Sequence, residues 1–224
     1  MKYKFALIMD QNVYPGREYL SSLKGLKVDV ISIGQNDEFD AEEDERCGGH
    51  WHPEFETTLK DSFNFYQFES LRSKALQDFL SEKQYHYGIQ GGTGILKKDL
   101  IELFMIGILN FHPGDLPFYR GCSAPEWQIL EKSEVVCTAH LIDEGIDTGK
   151  ILSKKVLNVN KDDYHKFRAS IYPETANFVV EVVKQLLGSD DLIRRAIDQD
   201  ENIAIYRKYI GESKLKIIKN MFPL

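Results

Sequence analysis

The chain is read first through its alternation of apolar and polar runs. Lys4–Met9 is a compact apolar stretch, and Lys27–Ile33 is a second run rich in β-branched residues, so both predict buried strands. Arg17–Leu23 between them is predicted helical. Phe63–Phe68 is aromatic and alternating, which suits a strand. Ser70–Lys83 places Leu71, Ala75, Leu76, Phe79 and Leu80 at helical spacing and predicts an amphipathic helix. Further along, Tyr85–Gln90 reads as a strand, Lys98–Phe104 as a helix and Gly107–Phe111 as a strand. Pro125–Glu131 is then a helix, and Val135–Ile142 and Lys150–Leu157 are strands close enough to pair antiparallel. Pro173–Leu187 is expected to be a helix with Pro173 in its first turn and Gly188-Ser189 ending it. Strands alternating with helices point to an α/β fold with a mostly parallel sheet.

From Asp190 onward the apolar spacing loosens and charge rises. Lys214–Leu224 reads as a surface helix or as a subunit contact that would serve a homodimer. The domain expectation is therefore one large unit over residues 1–188 and a C-terminal extension over 189–224.

Composition narrows the function. The 224 residues carry a formal net charge of −7, which disfavours a nucleic-acid backbone as partner. Much of that charge lies in the acidic run Asp37–Glu45, expected to be a solvated loop. Three cysteines form no even disulfide framework, which suits a reducing cytoplasm. No run is long enough to span a bilayer, so no membrane is expected. Cys47, His50 and His52 lie close together, yet a fourth ligand is not evident and no metal site is assigned. Trp51 and His52 are instead candidates for substrate contact, an aromatic face beside a hydrogen-bonding ring.

The densest chemistry is at Asn110-Phe111-His112-Pro113-Gly114-Asp115-Leu116-Pro117. In a strand, residues i and i+2 face the same side, so Asn110 and His112 would look into one pocket. Pro113 and Gly114 would end the strand there. Downstream, Asp143-Glu144-Gly145-Ile146-Asp147-Thr148-Gly149 offers a carboxylate to complete the set. An imidazole can shuttle protons, a carboxamide N–H can hold an oxyanion and a carboxylate can orient the imidazole. Such a set suits acyl transfer to an attacking amine. Each residue taken singly also has an ordinary role in capping or turning the chain. His140 is expected to support this pocket rather than to act as its base.

Asn110-Phe111-His112-Pro113, Leu116-Pro117, Tyr119-Arg120-Gly121 and Asp143 to Gly149 together resemble the signature of the 10-formyltetrahydrofolate-dependent formyltransferases. The resemblance is firm from about Tyr85 to Leu157. It implies a Rossmann-like formyltransferase fold with a short C-terminal extension, and the catalytic residues Asn110, His112 and Asp147. It also implies 10-formyltetrahydrofolate as co-substrate. Folate contacts are implied at Gly94, Ile95 and Leu96 and at Ile142, Asp143, Glu144, Gly145 and Ile146.

Family members often have Ser-Leu-Leu-Pro where this chain has Gly114-Asp115-Leu116-Pro117. The chain also lacks the serine-bearing phosphate loop of glycinamide ribonucleotide enzymes, and room for the large C-terminal domain of methionyl-tRNA enzymes. With Ser123-Ala124-Pro125-Glu126-Trp127, it looks most like the branch acting on nucleotide-linked sugars. The resemblance then implies formylation of the primary amine of a dTDP- or GDP-linked dideoxy amino sugar, in surface glycan biosynthesis. Gly114, Asp115, Tyr119, Arg120 and Glu126 join Trp51 and His52 as substrate-contact candidates. Transfer to another small amine, or hydrolysis of the formyl donor, stays open.

Overall fold

The structure is a computed structural model and describes residues 3–10, 13–34 and 62–223. Trp51, His52 and the acidic run Asp37–Glu45 lie outside the described residues. The chain forms two compact units, residues 1–110 and 111–224, and the boundary falls inside one strand.

The first unit holds β1 (Phe5–Asp10), α1 (Tyr14–Ser22), β2 (Val28–Ile33), β3 (Phe65–Phe68), α2 (Lys74–Lys83), β4 (Tyr87–Gly91), α3 (Lys98–Ile101) and most of β5 (Gly107–His112). β1 runs parallel between β2 and β4, with Leu7 facing Val30 on one side and Ile89 on the other. Phe5 to Met9 are all buried, which explains a continuous apolar run rather than an alternating one. The first turn of α1 comes very near the sheet. A Cβ on Gly16 would sit 2.6 Å from the Gly91 carbonyl oxygen and 2.8 Å from the Met9 Cβ, so only glycine fits. Helix α2 starts where Ser73 Oγ accepts the Leu76 N–H. It buries Leu76 and Leu80 and sets Phe79 against the rings of Tyr66 and Phe68.

The second unit continues through β6 (Arg120–Gly121), α4 (Ala124–Leu130), β7 (Val136–Leu141), β8 (Ile151–Val156), α5 (Tyr164–Gly188), α6 (Asp191–Arg194), β9 (Tyr206–Arg207) and α7 (Glu212–Lys219). The seven-stranded sheet has the order β3-β2-β1-β4-β5-β7-β8. Its strands β1 to β5 pair in parallel, and β7 and β8 form the expected antiparallel edge. This is the mostly parallel α/β sheet that the alternating pattern predicts.

Two elements differ from expectation. Helix α5 begins at Tyr164, not Pro173, because Asp163 Oδ1 accepts the Lys166 N–H and caps it there. Pro173 therefore lies inside the helix, where it supplies no N–H to the ladder. Phe167, Ile171, Phe178, Val179, Val182, Val183 and Leu186 bury its core face, and Phe178 meets Phe111 edge-to-face at 5.7 Å. The second difference is a small parallel pair, β6 with β9, joining Arg120 to Tyr206 and Gly121 to Arg207. Two-residue strands carry no periodicity for a sequence pattern to show. Among the described residues no helix is long and apolar enough to cross a membrane.

Candidate active site

Strand β5 delivers Asn110 and His112 to the carboxyl end of the sheet, the end at which open α/β sheets usually bind ligands. Pro113 stops the strand, and the following turn is held from two sides. Gln128, buried on α4, donates from Nε2 to the Pro113 carbonyl (3.0 Å) and accepts at Oε1 from the Asp115 N–H (3.2 Å) and the Val136 N–H (3.0 Å). Thr138 of β7 donates from Oγ1 to the Gly114 carbonyl (2.7 Å) and accepts the Leu116 N–H (3.2 Å). Sequence reasoning singles out neither residue. Their one signal is a polar side chain at a position where the local pattern calls for an apolar one.

His112 is almost fully buried. Its Nε2 lies 2.6 Å from the Tyr119 carbonyl oxygen, and its Nδ1 lies 3.5 Å from Asp147 Oδ2. A carbonyl can only accept, so Nε2 carries a hydrogen. In the neutral ring Nδ1 then turns a lone pair toward a carboxylate, an arrangement that gains greatly when Nδ1 takes up a proton. Burial pushes the His112 pKa below its ordinary value, while the facing Asp147 opposes that shift. The resting ring is therefore neutral, a base rather than an acid.

Asp147 is the complementary half. Burial works against its ionisation, but His112, His140 and the Gly121 N–H outweigh it and hold the carboxyl at about 2. The Gly121 amide donates to Oδ2 at 2.8 Å. His140 stands on the other side, its Nε2 3.6 Å from Oδ1 and its Nδ1 2.8 Å from the Leu141 carbonyl. The backbone of Asp147 is left-handed, with φ of 55°, so the carboxylate is aimed by an uncommon turn.

The substrate-contact candidates fall differently. Gly114 packs on the histidine: a Cβ there would lie 2.5 Å from His112 Nε2. Asp115 pairs with Lys154 Nζ at 2.5 Å. Tyr119 reaches His112 through its carbonyl, while its hydroxyl donates to Glu131 Oε2 at 2.9 Å. Arg120 is buried, and four of its five N–H groups go to Gln199 and Glu201. Glu126 is buried too, with Oε1 taking the Tyr164 hydroxyl at 3.0 Å and Arg168 Nη1 at 3.1 Å.

The two candidate folate loops are each open. In the first unit Gly94 is left-handed (φ of 78°) and its carbonyl accepts from Gln90 Nε2; Ile95 is 74% exposed and Leu96 is buried. In the second, Asp143 to Ile146 are exposed, and Asp143 Oδ1 accepts from Thr148 Oγ1 and the Gly145 N–H. Gly149 ends that loop under the Leu141 carbonyl, only 1.8 Å from where a Cβ would sit. Chemically the site offers a buried base, a carboxylate to stabilise its protonated form, and a carboxamide one strand repeat away.

The family profile described as "Formyl transferase" matches residues 22–183. The chain belongs to the formyl transferase family. A methionyl-tRNA formyltransferase of Thermodesulfovibrio yellowstonii is 37% identical over 70 residues, covering 31% of this family member and 23% of the relative. A GDP-perosamine N-formyltransferase of Brucella melitensis is 28% identical over 145 residues, or 62% and 51% of the two chains. In both cases the formyl transferase described here spans at most about half the relative's length. Among solved structures, an N-formyltransferase from Helicobacter canadensis in complex with folinic acid and dTDP-3-aminofucose superposes with a TM-score of 0.60. It is 18% identical, with 92% of this chain and 70% of that one covered, and that likeness shows the shared fold.

Proposed function

We propose that this formyl transferase family member is a 10-formyltetrahydrofolate-dependent N-formyltransferase whose acceptor is the primary amine of a dTDP- or GDP-linked dideoxy amino sugar. The observation that carries the reading is the buried His112–Asp147 pair at the end of β5, with Nε2 anchored on Tyr119. The amine attacks the formyl carbon and a C–N bond forms. The Asn110 carboxamide holds the oxyanion. The amine's proton passes to the His112–Asp147 pair, where burial keeps the base neutral until it is needed and Asp147 stabilises the imidazolium. As the intermediate collapses, the bond to the folate nitrogen breaks and that nitrogen leaves with the proton. Folate contacts fall to Gly94, Ile95 and Leu96 and to Ile142 through Ile146, where backbone groups beside apolar side chains suit the reading of a pterin edge.

Residues 1–188 form the catalytic domain and 189–224 its extension, working in the cytoplasm. The Helicobacter canadensis complex supports a nucleotide-sugar acceptor. The methionyl-tRNA relative favours a second reading, formylation of an aminoacyl-tRNA; the net charge of −7 speaks against it. Transfer assays with 10-formyltetrahydrofolate against dTDP-, GDP- and UDP-amino sugars, read by mass, test the proposal. One added formyl unit on such a sugar is expected, with loss in folded Asn110→Ala, His112→Asn and Asp147→Asn variants. No gain on any sugar, with formylation of methionyl-tRNA or release of formate instead, overturns it.

A further inference from the structure

The stretch after α5 is the least patterned in the chain, yet it enters the site. Gln199 donates from Nε2 to the Asp147 carbonyl at 2.9 Å and to the Gly149 carbonyl at 2.8 Å. Those two carbonyls lie at and just after the left-handed residue that carries the carboxylate. The other end of the same carboxamide is held as firmly. Gln199 Oε1 accepts from Arg120 Nε at 3.1 Å and Nη2 at 2.9 Å, and the guanidinium also makes a two-pronged contact with Glu201, at 2.8 and 2.6 Å. Arg120 immediately precedes Gly121, whose amide holds Asp147 Oδ2. The β6–β9 pairing then fastens the Arg120–Gly121 backbone to Tyr206 and Arg207.

Both the backbone and the carboxylate of Asp147 thus depend on one brace. A carboxamide is the group this place requires: two carbonyls face its amino end and a guanidinium faces its oxygen. A carboxylate would meet the carbonyls with no hydrogen to give them.

We infer that Gln199 is a positioning residue for Asp147, holding the turn from its backbone side while Arg120 and Glu201 hold Gln199. This rests on the reading of Asp147 as the partner of His112, so the test has one arm that needs no substrate. In that arm the imidazole of His112 is titrated by long-range proton–nitrogen NMR of the full chain, its signals assigned by their loss in His112→Asn. The groups facing the ring are Asp147, the Tyr119 carbonyl and His140. Asp147 raises the ring's affinity for a proton, so Asp147→Asn lowers the midpoint. Gln199→Met is expected to lower it in the same direction, as the carboxylate drifts from the ring.

Gln199→Glu keeps the Arg120 pairing, which should hold it folded even if the Met variant is not. It turns an oxygen without hydrogen toward both carbonyls, so the turn loses its donor and is repelled, and the midpoint should shift measurably. In the transfer assay, Gln199→Glu should lose about 10- to 100-fold in kcat with KM for the formyl donor little changed, as expected for misplacement rather than lost binding. An unshifted His112 midpoint in the folded variants, with kcat intact or falling only in step with melting temperature, overturns the inference. If the wild type transfers no formyl group to any acceptor, the functional reading falls while the titration still decides the role of Gln199.

Discussion

Replacing Gly114 by serine is a small change in the chemistry of the turn, yet the geometry says this chain will not accept it unchanged. The new Cβ would lie 2.5 Å from His112 Nε2, 2.7 Å from the Tyr119 carbonyl oxygen and 2.8 Å from His112 Cδ2. Ordinary contact begins near 3.5 Å, so the overlap is roughly 1 Å against both partners of one hydrogen bond. Neither neighbour is the loose end of a flexible chain. His112 is buried between Tyr119 and Asp147, and the Tyr119 hydroxyl is tied to Glu131. The strain must then be relieved by pushing the imidazole off the Tyr119 carbonyl. Overpacking of this kind costs about 1–3 kcal/mol, and the lost hydrogen bond adds about 1 kcal/mol. With His112 in its proposed role, a displacement of about 1 Å can lower turnover by roughly 100-fold. Denaturant unfolding and formyl transfer measured on Gly114→Ser and Gly114→Ala should show both losses together, with alanine no better than serine, because the Cβ is what clashes. Wild-type stability and turnover in either variant would refute the reasoning.

Acidification should weaken the fold from two groups with the same sign. His112 is held below its ordinary value in the folded chain, so the unfolded state binds that proton first, and stability falls as pH drops below about 6.5. Asp147 is held at about 2, so its contribution is full above about 4 and disappears as pH falls toward 2. His112→Asn should flatten the dependence of the denaturation midpoint on pH between 7 and 5. On the proposed mechanism the neutral ring is the base, so the acid limb of kcat/KM should lie below about 6.5; a limb above about 7 contradicts that role. Thr138→Val preserves shape but strands the Gly114 carbonyl and the Leu116 N–H, costing about 1–3 kcal/mol for each buried group left unpaired, measurable as a lower urea midpoint. Cys137, buried with its thiol pushed up to about 12, should stay unmodified by a thiol reagent until the protein unfolds, whereas exposed Cys122 reacts in the native state.

Local order along the chain is legible in the residues themselves. The apolar run ending at Asp10, the β-branched run ending at Ile33 and the antiparallel edge strands all form within a residue or two of their expected places, because burial of a strand writes itself into consecutive residues. The spacing of Asn110 and His112 on β5 is of the same kind, a period of two on one element. The start of α5 is not legible in this way. Pro173 looks like a first-turn residue by local rules, yet the Asp163 cap together with the burial of Phe167 and Ile171 starts the helix ahead of it.

The candidate site divides along the same line. The residue types and their motif spacing name Asn110, His112 and Asp147, and a family. Which nitrogen of His112 carries the hydrogen, why Gly114 can bear no side chain and why Arg120 is spent inside the protein depend on partners far away in sequence. Gln199 lies 52 positions from Asp147 and 79 from Arg120. A polar side chain in an unpatterned stretch has no periodicity to betray it. Its role is decided by the convergence of a left-handed turn, a buried guanidinium and a two-residue strand pair, and that convergence exists only in the folded chain.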